Sequence, residues 1–217
     1  MRLIYLRTLT FSLFMFVSTF SFGQIVAWQF ATPEPSTGRE RTAKATTNDD
    51  NLEQSLLTRG PSAIAKQGNG RGFSGNFPVN GNMDEAKASG AYYEFKIKAK
   101  PGYKFSLTTL NAVLRSQPES AHIYRWTYSL DGKNFKSLGT SDVTISNFHN
   151  NGVKQPGISL AGYKDLQNVP SDVTISFRLY AWGGTNNTGS AIAFGFGKSS
   201  AAGSNVIAVD GKVIPAK

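Results

Sequence analysis

The chain predicts an all-β fold, an antiparallel β-sandwich, on three observations. From Ile25 onward, short alternating or apolar segments are divided by turn residues, with no long stretch of helical periodicity. Val173, Ile175, Phe177 and Leu179 alternate with polar neighbours, and that period places one set of side chains on one face of a strand. Tyr124 to Phe135 holds two further segments around Asp131-Gly132. That pair suits a tight hairpin, because glycine accepts positive φ without a Cβ clash and aspartate tolerates the left-handed region.

The first element is a leader. Arg2 and Arg7 precede an apolar run from Thr8 to Phe22, and Ser21 and Gly23 are small residues at −3 and −1 of a cut before Gln24. The run is shorter than the roughly 20 residues a bilayer span needs, and no later segment is apolar for as long. A signal peptide over residues 1–23 and a single mature domain over residues 24–217 follow. The product is then exported to the periplasm, cell surface or exterior, with no membrane span after cleavage. Cysteine is absent, which removes disulfides, a lipobox, thiolate metal sites and thiol nucleophiles. A mature chain of this length is large enough to hold one core without staples.

The strands follow in order. Ile25–Phe30 opens the domain. Residues 31–55 are polar, carry Pro33, Pro35 and Gly38, and read as a long loop with a short strand near Ala43–Thr47. Asn51–Thr58 spaces Leu52, Leu56 and Leu57 as one helical turn would. Then come Gly72–Val79, Tyr92–Ala99, Lys104–Arg115, His122–Leu130, Phe135–Gly139, Val143–Ser146, Gly157–Gly162, Val173–Ala181, Ala191–Gly197 and Asn205–Val213. Tyr124, Trp126, Tyr128 and Leu130 share one face and form a core wall with Tyr93, Phe95 and Ile97. Ser-Asp-Val-Thr-Ile-Ser occurs at both Ser141–Ser146 and Ser171–Ser176, which is repeated strand grammar and not a duplicated function.

The formal net charge is +9, and loss of Arg2 and Arg7 leaves the mature surface basic. Lys96, Lys98, Lys100 and Lys104 form the densest cluster, with Glu94 sharing the outward face of Lys96 and Lys98. Such a surface attracts polyanions at long range, but no motif for sequence-specific nucleic-acid recognition accompanies it.

Ile25-Val-Ala-Trp-Gln-Phe30, Leu57-Thr-Arg-Gly60, Ala91-Tyr-Tyr-Glu-Phe95, Tyr124-Arg-Trp-Thr-Tyr-Ser-Leu-Asp-Gly132, Leu166-Gln-Asn168 and Phe177-Arg-Leu-Tyr180 together resemble secreted Bacteroidetes-type β-sandwich domains. In general style the chain is also similar to discoidin-like and other galactose-binding-like jelly rolls. These resemblances imply a jelly-roll-like antiparallel β-sandwich, export, and glycan binding or surface interaction. They transfer no catalytic motif.

A sugar site pairs aromatic faces, which receive C–H groups, with polar side chains that satisfy hydroxyls. Tyr180 and Trp182 are the candidate platforms, with Arg178 and Arg125 on the same outward surface and Asn186 and Asn187 in the loop that follows. A second rim is Asn147–Gly152, with Phe148 and His149. His122 has no second histidine or cysteine at zinc-site spacing. No cofactor is expected. Asn48, Asp49, Asp50, Asn51 and Glu53 supply the hard oxygens of a structural calcium site but not an EF-hand. Gly68-Asn-Gly-Arg-Gly72 lacks the Lys-Ser/Thr ending of a P-loop, and no Gly-x-Ser-x-Gly elbow or His-Glu-x-x-His pair is present. Asp84-Glu85, or Asp165 with Asp172, would be the carboxylates of a hydrolase, which is the weakest reading. The expected function is therefore that of a noncatalytic module binding a polysaccharide or surface glycan, with a structural or adhesive protein-binding domain as the alternative.

Overall fold

The computed structural model describes residues 23–217 except 33, 66–68, 190 and 201–202. The expected leader falls outside the described residues apart from Gly23. Among the described residues, no helix is long and apolar enough to cross a membrane.

In chain order the strands are β1 (Gly23–Trp28), β2 (Thr42–Lys44), β3 (Thr47–Asn48), β4 (Leu56–Arg59), β5 (Ile64–Ala65), β6 (Phe73–Asn76) and β7 (Tyr93–Ile97). They continue with β8 (Tyr103–Ser116), β9 (Ile123–Ser129), β10 (Lys136–Ser137), β11 (Val143–Thr144), β12 (Val153–Lys154) and β13 (Ile158–Ser159). The last four are β14 (Val169–Pro170), β15 (Ile175–Trp182), β16 (Ala193–Phe196) and β17 (Ile207–Pro215). Among the described residues one α-helix, α1 (Met83–Ser89), stands between β6 and β7, and a short 3-10 turn, Lys164–Leu166, precedes β14.

Two antiparallel sheets face each other. The first runs β3-β1-β17-β8-β16-β6-β5, with β12, β13 and β14 pairing along the long β8. The second runs β10-β9-β15-β7-β4-β2, with β11 on β9. This is the all-β sandwich that the alternation predicts. Between the sheets lies a continuous aromatic seam. Phe95 of β7 stacks on Phe177 of β15 with centroids 5.0 Å apart, and meets Trp28 of the opposite sheet at 5.1 Å. Trp126 packs edge-on to Phe95 and reaches Phe196, and Phe196 in turn touches Tyr93. All six rings are buried. Tyr93 spans the sandwich and donates its hydroxyl to the Phe194 carbonyl at 2.7 Å. Burial pushes its pKa up, although Arg59 draws it the other way.

Three expectations need correction. Asn51–Thr58 is not a helical turn: Leu52 bridges Ala99, and β4 buries Leu57 while leaving Leu56 exposed, the period of a strand. Residues 31–55 are mostly irregular, but they contain two short strands, β2 and β3, where one was expected. The third correction is α1, which the absence of long helical periodicity concealed. Its signature is local. The Asn82 side-chain oxygen accepts the N–H groups of Asp84 and Glu85, Glu85 reaches back to the Gly81 N–H, and Gly90 closes the end at φ 73°.

The Asp131-Gly132 hairpin is present but not as a two-residue turn. Lys136 pairs Tyr128, so the connection runs from Leu130 to Phe135. Asp131 Oδ1 accepts the N–H groups of Lys133 and Asn134 at 2.8 Å each, and Oδ2 accepts the Asn134 amide. These bonds, with that of the Ser129 hydroxyl, hold its carboxyl well below the usual carboxylate range. Tyr124, Trp126 and Tyr128 are core as expected, whereas Leu130 lies past the end of β9 and is 40% exposed. In the repeated hexamers, Ile145 and Ile175 are both buried, with Val143 and Val173 packed against the same core.

Candidate functional site

The outward face of the second sheet is laid out by strand register. Glu94 lies opposite Arg178, and Arg178 opposite Thr127; Lys96 lies opposite Ser176, and Ser176 opposite Ser129; Tyr180 lies opposite Arg125. Side chains on β7 and β15 therefore form cross-strand rows, and the face divides into two halves.

One half is roofed. Helix α1 packs Met83 and Ala86 onto Tyr92, Tyr180, Trp182 and Ile123, a small core separate from the main one. Tyr180 is 3% exposed and Trp182 4%, and Tyr92 meets Tyr180 edge-on at 5.7 Å. The parity of β15 puts both residues outward, as expected, but the roof leaves neither ring a face for a sugar.

The boundary between the halves is Arg178. Its guanidinium lies between two rings, 4.0 Å from the centroid of Tyr92 and 4.1 Å from that of Phe135. Nε donates to Glu94 Oε2 at 2.6 Å and Nη1 to the Tyr180 hydroxyl at 3.2 Å. Burial works against the charged form, yet the Tyr180 and Glu94 contacts outweigh it and push the pKa up. Arg178 is thus committed to holding Glu94 and the aromatic roof. Arg178→Lys keeps the charge but loses the flat stacking surface and the fork. We expect a stability loss of about 1–2 kcal/mol in urea titration, and an unchanged midpoint would show that the two rings gain nothing from the guanidinium.

The other half is open. A groove of 630 Å³ lies beside the Leu130–Gly132 turn. Its floor is Ser176 and Lys96; one side is Gln54, Leu56 and Thr58, and the other is Leu130, Asp131, Asp172 and Thr174. Leu56 and Leu130 are each 40% exposed and supply apolar surface. Ser176 is 2% exposed, and its hydroxyl, which opens onto the groove, makes no protein hydrogen bond among the described residues. The charged groups are mostly paired. Lys98 meets Glu53 at 2.9 Å, and Lys96 approaches Glu94 at 3.5 Å.

The remaining sequence candidates are dispersed. Arg125 is a structural partner of Asp142, with Nη2 at 2.6 Å from Oδ1. Asn186 donates to Glu119 and accepts from Thr188, which shapes its own loop, and Asn187 is exposed. Arg125, Arg178, Tyr180, Trp182, Asn186 and Asn187 therefore do not form one open surface, because helix and ion pairs occupy the contacts that a ligand would use. In the second rim Phe148 is 41% exposed and meets His122 edge-on, while His149 Nδ1 accepts the Asn151 N–H. At the acidic corner, Asp49 Oδ1 accepts the Asn51 N–H, Asn48 Oδ1 accepts the Ser55 N–H, and the Lys100 ammonium donates to the Asp50 carbonyl. Among the described residues, no group of three or more His, Asp or Glu side chains is gathered for a metal ion.

Sequence reasoning missed the groove, since its lining comes from four separate segments. The one local signal was the outward serine at 176 between Thr174 and Arg178 on a strand whose other face is wholly apolar.

No family model matches the chain, and no curated protein matches it. Among solved structures it is similar to the C-terminal domain of a chitobiase from Bacteroides fragilis, at 15% identity and a TM-score of 0.31. That match covers 82% of this chain and 97% of the other. Likeness at this level says nothing of what the chain binds.

Proposed function

We propose that the chain is an exported, noncatalytic glycan-binding module whose ligand lies in the groove over β7 and β15, not on Tyr180 and Trp182. The observation that carries this reading is Ser176. The residue is almost wholly covered, yet its hydroxyl takes no protein partner among the described residues and reaches the groove, where a ligand hydroxyl can replace water on it. Leu56 and Leu130 offer the apolar contact that the C–H edges of a sugar ring need, and Thr174 and Gln54 add hydrogen-bonding groups beside it.

The noncatalytic reading rests on how the carboxylates are used. Glycoside hydrolysis needs a protonated acid and a second carboxylate across the scissile bond. Glu53 is held by Lys98, Glu94 by Arg178 and Lys96, and Asp131 by backbone N–H groups that keep it ionised. Of the other carboxylates that could serve a hydrolase, Asp165 is tied to Lys136 and the Tyr128 hydroxyl and Glu85 to the cap of α1, which leaves Asp172 without a second uncommitted carboxylate in the groove.

A glycan array followed by calorimetry on the full chain tests the reading. Ser176→Val retains the strand and removes the hydroxyl. We expect a roughly three- to tenfold loss of affinity for the saccharide that binds, the worth of one hydrogen bond, with the unfolding midpoint preserved. Undiminished binding by the folded variant would place the ligand elsewhere, and an array without any bound saccharide would end the glycan reading.

A further inference from the structure

We infer that the groove takes a saccharide bearing a protonated amine, an amino sugar whose nitrogen is not acylated. The inference rests on the glycan reading above and deepens it. It begins from a local inversion of charge. The chain carries a formal charge of +9, yet the groove is lined by Glu53, Glu94, Asp131 and Asp172 against Lys96 and Lys98, and even with Arg178 bound behind Glu94 the carboxylates outnumber the cations.

The pairing within that set sharpens the point. Both lysines already face carboxylates, Lys98 at 2.9 Å and Lys96 at 3.5 Å. An anionic sugar would have to compete with Glu53 and Glu94 for them while standing in the field of Asp131 and Asp172. Asp131 is spent on the N–H groups of its own loop but keeps its negative charge. The Asp172 carboxylate is exposed at the groove wall and makes no hydrogen bond or ion pair among the described residues. An ammonium on the ligand would meet Asp172 there, while ligand hydroxyls reach Ser176 on the floor. The pairing of a free carboxylate with a groove-facing hydroxyl that has no protein partner among the described residues is what a hydroxylated cation satisfies and a simple cation does not.

A basic peptide fits less well. The floor strands β7 and β15 are flanked on both sides within their sheet, so their backbone groups are already used and no strand can be added there.

The test compares four probes on the full chain by calorimetry: glucosamine oligomers, the same oligomers N-acetylated, oligogalacturonate and tetralysine. We expect the amine form to bind about fivefold tighter than the acetylated form at low salt, a margin that shrinks as salt rises. Asp172→Asn should bring the amine form down to near the affinity of the acetylated one, and Ser176→Val should weaken both. Acetylated or acidic oligomers binding as tightly as the amine form would overturn the inference and leave the glycan reading standing. Tetralysine matching the amino oligomer would also overturn it, since charge alone would then suffice. No saccharide binding at all would overturn both.

Discussion

Gly195→Ala is expected to destabilise the protein by about 3–5 kcal/mol, or to prevent its accumulation as a folded chain. Gly195 lies in β16 with φ 153°, a conformation that an L side chain rarely adopts. It is also covered on the side where a Cβ would project. That atom would stand 2.5 Å from the Phe73 carbonyl oxygen, 2.6 Å from Ser74 Cα and 2.7 Å from the Tyr93 hydroxyl. Two of the three are backbone atoms of β6, which pairs β16 on one side while β8 holds β16 on the other, so the clash cannot be relieved by rotating a side chain. Tyr93 would also be pushed from the Phe194 carbonyl, leaving a buried hydroxyl unsatisfied. Denaturant titration measures the outcome. A loss below about 1 kcal/mol would mean that β16 can shift as a unit, contrary to its pairing on both sides.

The second large effect is expected at Phe95. Phe95→Ala removes the ring that joins the two sheets, with Phe177, Trp28 and Trp126 all packed on it. Phe95 is 1% exposed, and the surrounding large rings cannot collapse into the space that it leaves. The expected loss is about 3–5 kcal/mol, a large part of the 5–15 kcal/mol typical of a domain. No disulfide stands in reserve, because the chain has no cysteine. A drop in urea midpoint with an unchanged slope is the expected signature. A midpoint within experimental error of the parent would show that the seam is not the main tie between the sheets.

Much of the fold was legible because strand period is a short-range signal. The alternation through Val173 to Leu179, and through Tyr124 to Tyr128, assigned core faces that the structure reproduces. Parity also placed Arg178, Tyr180 and Trp182 outward. Parity could not say what lies above that face. The residues of α1 are remote in sequence from β15, and only the closed sandwich brings Met83 and Ala86 over Trp182. An outward aromatic on a strand is equally a ligand platform or a seat for a helix, and the Asn82 and Glu85 capping pattern was the clue that favoured the seat. The groove was harder still. Leu56, Lys96, Asp131 and Ser176 are each ordinary in sequence, and their shared lining depends on β4 pairing β7 and β7 pairing β15.

The outermost strands of both sheets are very short. β3 and β5 bound the first sheet and β10 and β2 the second, each two or three residues long. An unpaired border is where neighbouring copies would zip together into fibres, and two or three rungs offer too little ladder to hold such a seam. The perimeter of this fold thus carries a guard against edge-to-edge association, and lengthening β5 around the exposed Ile64 would be the direct way to weaken it.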